Sequence, residues 1–317
     1  MDKEARVIAL HQVSKAYGTR LAVDSLNLSI QAGEFVVLIG PSGSGKSTTL
    51  RMMNRLVDID TGSIRFGGQD IGAHPVEALR RRMGYAIQSV GLFPHWTVEK
   101  NIGTVPRLLG WSPDRIRQRT HELLELLQLE PALFAQRYPD ELSGGQQQRV
   151  GVARALAAKP EVLLMDEPFG ALDPITRFAL QRELKRIQAL SGTTVVLVTH
   201  DIDEALFLAS RIVLLKDGQI VQDGTPLELL LHPADDFVSD FVGRTELGIK
   251  LLGLEKVRER VRPGDSAAGV PIGMDLSLRE ALSAFVVQGR SALSVIDSVG
   301  VHAGALHFSD LLRADPQ

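Results

Sequence analysis

None of the 317 residues is a cysteine, which excludes a disulfide-stapled secreted fold, a zinc finger, an iron–sulfur cluster and thiol catalysis. An excess of charge is nearly absent too. Thirty-five Lys and Arg stand against 38 Asp and Glu, for a net charge of -3, so no broad field draws the chain to nucleic acid. No stretch reaches the roughly 18 uninterrupted apolar residues of a membrane-spanning helix. The amino terminus MDKEARVIAL has no apolar core of signal-peptide length, so the mature chain is expected to begin at Met1. Low-complexity tracts and internal repeats are missing as well. What remains is 44% hydrophobic and 23% charged, the balance of a soluble globular chain with a sizeable core. The length predicts one large domain with a small appendage.

Three short apolar runs, FVVLI at 35–39, VLLM at 162–165 and TVVLV at 194–198, read as strands buried on both faces, as in a parallel sheet. Helix-like stretches such as 115–129 lie between them, predicting a layered α/β core. The gap between the first two runs is too long for one crossover helix, which places an inserted subdomain at about 89–154. Strands at 212–215 and 219–221 form a hairpin across Lys216-Asp217-Gly218. The large domain, 1–243, closes near Gly243. A linker helix over 244–260 and a small α/β unit over 261–317 follow, with a helix at 278–288, strands at 293–296 and 303–306, and a last helix from Asp310.

The first buried run leads into Gly40, Pro41, Ser42, Gly43, Ser44, Gly45, Lys46 and Ser47, a full match to the phosphate loop G-x-x-x-x-G-K-[ST], with Thr48 next in the nucleotide-binding set. Glycines let backbone N–H groups turn inward around phosphate oxygens, and a helix start adds its positive end. Lys46 would reach the β and γ phosphates of ATP, and Ser47 would ligate Mg²⁺. The second run ends in Asp166-Glu167, at the carboxyl edge of a strand where ligands bind. Asp166 fits a holder of Mg²⁺, and Glu167 an acceptor that polarises the attacking water; the bland alternative is a capping pair before Pro168. Leu142, Ser143, Gly144, Gly145 and Gln146 open a helix and form a second anion site. One nucleotide is already cradled by the first loop, so the second site points to a nucleotide held by another copy, hence a dimer.

These motifs in this order resemble the ATP-binding subunits of ABC transporters, over about 7–243. The resemblance implies a P-loop ATPase core with an inserted helical subdomain and an antiparallel β portion. It implies that Tyr17 stacks on adenine, that Gln88 senses Mg²⁺ and the attacking water while its loop meets the membrane subunit, and that Asp173 lies in the dimer-interface loop. His200 would contact the γ-phosphate. Leu92, Phe93, Pro94 and Trp96 are either a membrane-partner contact or local core. Within the family the chain is similar to importers of glycine betaine, choline and proline betaine, nearest the low-affinity osmoprotectant ATPases. Polyamine or amino-acid import, or a non-transport ATPase, are the alternatives. The resemblance further implies a homodimer on integral membrane permease subunits, at the cytoplasmic face of the bacterial inner membrane. A periplasmic or lipid-anchored substrate-binding protein acts with it indirectly, and nucleic acid is not a partner. The tail resembles a single CBS module, with Asp310 at the position of a ribose-binding acid and His307 where nucleotide-binding modules place Thr. Whether it pairs with its copy, regulates or only stabilises stays open.

Overall fold

A computed structural model describes residues 6–87, 91–170 and 172–312 of the chain. Its contacts fall into two units that part between Thr225 and Pro226.

In the first unit, β3 (Phe35–Ile39), β6 (Met83–Ala86), β7 (Val162–Asp166), β8 (Thr194–Val198), β9 (Arg211–Lys216) and β10 (Gln219–Gly224) form a sheet of order β10-β9-β3-β8-β7-β6. Its neighbours run parallel except β10, which turns back on β9 through Asp217 and Gly218, both at positive φ. Every residue of β3, β7 and β8 is buried. Two covered faces leave no position for polar alternation, which is why these strands read as apolar runs.

A second, antiparallel sheet of order β2-β1-β4-β5 is built from β1 (Arg6–Tyr17), β2 (Arg20–Gln31), β4 (Thr61–Phe66) and β5 (Gln69–Asp70). Ile8, Leu10, Val23, Leu28 and Ile30 from it share one buried cluster with Val36 and Leu38 of β3 and with Leu50 and Met53 of α1 (Lys46–Met53). The antiparallel portion is expected from the resemblance, but its strands are not located in the sequence. Their alternation slips at Gln12 and Ser25, non-glycine residues at φ 49° and 46°. The β1–β2 register shifts there, so positions 8, 10 and then 13 turn inward.

Helix α2 (Val76–Arg82) precedes β6. Between β6 and β7 lie α3 (Val98–Ile102), α4 (Thr104–Leu108), α5 (Pro113–Leu126), α6 (Pro131–Phe134) and α7 (Gly144–Leu156), in the region read as a helical insertion. Helix α8 (Pro174–Ser191) connects β7 to β8, and α9 (Ile202–Leu208) connects β8 to β9. Each connection is therefore a crossover that returns the chain to the same edge of the parallel sheet. The ends of β3, β7 and β8 thus open beside the starts of the helices that follow them.

The second unit holds α10 (Pro226–Leu231), α11 (Asp236–Val242), α12 (Leu247–Leu254), α13 (Leu278–Gln288) and a sheet of order β11-β12-β13, from β11 (Ile272–Gly273), β12 (Ala292–Ile296) and β13 (His302–His307). The contacts group α10 and α11 with α12, earlier in the chain than the expected close near Gly243. The expected helix over 244–260 ends at Leu254. Past that point Val257 is buried with Phe285 and Leu293, and Leu252 packs against the same cluster. Helix α13 keeps its expected bounds because Ser277 and Glu280 form a capping box and Gly289 stops it at φ 60°. Of the helix expected from Asp310, the described residues show a 3-10 turn, Phe308–Leu312, and the remainder lies outside the described residues.

Candidate nucleotide site

The carboxyl end of β3 passes into a loop whose shape only glycine permits at two places. Gly40 sits at φ 143°, and a Cβ there would come within 2.0 Å of the Leu215 carbonyl oxygen; at Gly45, φ 99°, it would meet Ala22 O at 2.4 Å. The loop therefore lies tight against its own scaffold. Lys46, 6% exposed, curls over it and donates from Nζ to Gly40 O and Pro41 O, both at 2.8 Å, with Ser44 Oγ at 3.5 Å. Burial lowers the pKa of the Lys46 amine, opposed by the Glu167 and Asp166 carboxylates. Pro41, Ser42 and Gly43 are exposed, Ser44 and Gly45 buried, and Ser47 and Thr48 half-buried in the first turn of α1.

Asp166 ends β7 with a carboxylate 2% exposed. Ser47 Oγ donates to its Oδ1 at 2.7 Å, and Arg51 Nη2 reaches Oδ2 at 3.3 Å. Tyr85 of β6 is among the groups that act on the Arg51 guanidinium, whose pKa is raised despite the opposing effect of its burial. Glu167 is at φ 47°, a left-handed conformation that costs a glutamate about 1–2 kcal/mol. That twist ends the strand's alternation and leaves Glu167 Oε1 3.4 Å from His200 Nδ1. Hence Asp166 and Glu167, adjacent in sequence, serve different neighbours. His200 follows β8, exposed, ahead of α9.

Tyr17 closes β1 and is 52% exposed, and Lys15 Nζ lies 5.7 Å from its ring centre. In the same turn Arg20 Nη2 donates to Gly43 O at 3.3 Å, tying the tyrosine's hairpin to the phosphate loop. Gln88 lies outside the described residues.

The residues read as a second anion site open α7. Ser143 Oγ accepts from Gln146 N at 3.3 Å, while Ser143 N donates to Gln146 Oε1 at 2.9 Å. This capping box leaves Gly144 and Gly145 as bare backbone at a helix start. Leu142 is buried and anchors the turn. Asp173 caps α8, accepting from Ile175 N and Thr176 N at 3.1 and 3.0 Å, and its pKa is lowered by the hydrogen bonds from Thr176. In the second unit, Asp310 is buried and accepts from Arg262 Nε and Nη2 at 3.0 and 2.5 Å, and from His307 N at 3.2 Å. The acid that the resemblance equates with a ribose contact is thus engaged by arginine.

Sequence reasoning missed Arg51, Arg20, Arg177 and Glu204. Arg51 carries a legible signal, standing one helical turn after Ser47 and so on the same face of α1. Arg177 and Glu204 meet only through long-range packing.

The ABC transporter family profile matches residues 23–170. The chain is 59% identical over 306 residues to the glycine betaine uptake system ATP-binding protein YehX of Escherichia coli K12, covering 96% of this chain and 99% of that one. It is 47% identical over 299 residues to the glycine betaine/carnitine/choline transport ATP-binding protein OpuCA of Bacillus subtilis 168, covering 94% and 77%. Among solved structures, the ATP-binding cassette MJ0796, as a dimer in a post-hydrolysis state bound to ADP and phosphate, matches with a TM-score of 0.64 and 35% identity over 69% of this chain and 98% of that one.

Proposed function

The chain belongs to the ABC transporter family of ATP-binding proteins, and on that premise we propose that it hydrolyses ATP to energise uptake of glycine betaine or a related osmoprotectant through a separate membrane permease. The observation that carries the ATPase reading is the 2.7 Å contact between Ser47 and Asp166 beside the Lys46-filled loop. The substrate class rests on the likeness to the betaine-uptake relatives, one of which is matched over nearly its whole length.

Each residue has a physical task in that reading. Lys46 exchanges its loop carbonyls for phosphate oxygens, which a buried ammonium holds strongly. The N–H groups of 43–48 surround the same oxygens at the start of α1. Ser47 and Asp166 fit Mg²⁺: both offer hard oxygen. When bound, Mg²⁺ neutralises charge on the β and γ oxygens. Glu167 accepts a hydrogen bond from the attacking water, and His200, beside it, faces the γ-phosphate. Tyr17 supplies a ring for adenine.

A second copy completes the site. Ser143, Gly144 and Gly145 of one chain would close over the ATP held by the other, with Asp173 at the junction. An open groove of about 770 Å³ lined by Pro94, His95, Gln136, Tyr138, Asp140 and Glu141 lies beside the Phe93–Trp96 ring pair, whose centres are 4.7 Å apart. Phe93 is exposed, and this groove with the Gln88 loop is the contact for the permease. Among the described residues no helix is long and apolar enough to cross a membrane. In this reading the permease holds the chain at the cytoplasmic face. The unit over 261–317 serves as a CBS-like appendage in which Asp310 is paired with Arg262.

The test is Glu167→Gln with ATP and Mg²⁺ on a sizing column. The variant should bind ATP, fail to turn it over and elute as a dimer. An ATP-bound monomer contradicts the paired mechanism.

A further inference from the structure

Two loops that serve different nucleotides in the proposed dimer are joined inside one chain by a single guanidinium. Arg177, one turn into α8, donates from Nη2 to the Leu172 carbonyl at 3.2 Å. Its Nη1 lies 3.7 Å from Asp201 Oδ2, and its Nε 3.9 Å from Glu204 Oε1. On one side, the Leu172 side chain is 5% exposed and lies against Gly145: a Cβ on that glycine would stand 3.3 Å from Leu172 Cδ2. On the other side, Glu204, 7% exposed, accepts from Gln181 Nε2 at 3.1 Å and from Thr199 Oγ1 at 2.7 Å. Thr199 Oγ1 accepts in turn from Asp201 N at 3.0 Å. His200 stands between those two residues, so its backbone is held from both sides.

We propose that Arg177 is a positioning residue that couples the two ATP sites, tying the Leu172–Gly145 contact at the partner's nucleotide to the Thr199–Asp201 loop that carries His200 at the chain's own. The inference rests on the paired reading above. A guanidinium suits the task because its planar fork addresses a carbonyl and two carboxylates in three directions, which a lysine point charge does not. The carboxylates it faces are Asp201 and Glu204; burial raises the pKa of Glu204, and Arg177 opposes that rise. A shift of the Leu172 loop when Gly145 closes on the partner's ATP would then reach the His200 loop through one hydrogen bond and two longer ion pairs to Asp201 and Glu204. The quantity that reads this coupling is cooperativity.

The experiment uses the full chain with Arg177→Met and Arg177→Lys. It reads the Hill slope of ATP hydrolysis, turnover at saturating ATP, the affinity of a fluorescent ATP analogue for dilute chain, and the melting temperature. The wild-type slope should approach the number of coupled sites. Both variants should show a slope near one and turnover lower by about 2- to 30-fold, with nucleotide affinity unchanged. A role in fold alone would move melting and affinity together and leave the slope. If Arg177→Met melts early, Arg177→Lys, which keeps the charge, decides by the same criteria. A wild-type slope retained in either folded variant overturns the proposal, as does a wild-type chain that hydrolyses ATP with a slope of one. A wild-type chain with no ATP turnover instead overturns the reading beneath it.

Discussion

Gly144 separates what the fold needs from what a partner needs. It opens α7 behind the Ser143 cap without a positive φ, and a methyl added there meets no atom within 4 Å. Nothing in the single chain calls for glycine. Alanine is the better helix former, so Gly144→Ala should stabilise the nucleotide-free chain by about 0.5 kcal/mol, a rise of about 1–2 °C in Tm for a unit of this size. The same methyl would occupy the space through which a phosphate oxygen of the partner's ATP approaches the helix start. Losing one such backbone donor costs about a hundredfold in turnover. Urea unfolding without nucleotide and steady-state ATP hydrolysis check the two halves. Wild-type turnover in a folded Gly144→Ala chain would refute the trans contact, and a loss of stability beyond about 1 kcal/mol would show that the glycine serves the fold after all.

Gly40 makes the opposite case: at φ 143° with Leu215 O 2.0 Å from a would-be Cβ, Gly40→Ala should cost about 2–5 kcal/mol, read as a lower urea midpoint. Arg51→Ala removes one of the two groups that orient Asp166. It should raise the Mg²⁺ needed for half-maximal ATP hydrolysis several-fold, with metal-free nucleotide affinity unchanged. Burial pushes the Glu204 carboxyl above its ordinary range, so the folded chain binds that proton more tightly than the unfolded chain. The resulting stability is complete below the ordinary glutamate pKa and is lost as pH rises through the raised value. Glu204→Gln, which keeps an acceptor for Thr199, should flatten that stretch of the curve of urea midpoint against pH; an unchanged slope would contradict the assignment.

The central strands and the phosphate loop are legible in the sequence because each is local. β3 and β8 have the ends their apolar runs predict, since burial on both faces demands unbroken hydrophobicity. The loop is encoded by glycines whose missing Cβ atoms are what the tight packing requires. Helix α13 is legible from its Ser277 cap and Gly289 stop. The antiparallel strands are not, because left-handed residues at Gln12 and Ser25 break the period-two pattern. Nor is the early end of α12, which is set by Val257 and Leu252 packing into the second unit's own core. The carboxylate pair at Asp166 and Glu167 shows both limits at once. Its place at a strand end is readable, while the division of labour depends on a φ of 47° and on Arg51 and His200, contacts fixed only by the tertiary fold.

The most direct measurement is uptake of labelled glycine betaine at high salt in cells that lack this chain and every other betaine importer, complemented with either the intact protein or Glu167→Gln. The intact chain should restore uptake, and Glu167→Gln, folded and present at equal level, should not. Uptake restored by both, or by neither while the purified chain still hydrolyses ATP, would contradict the proposed function.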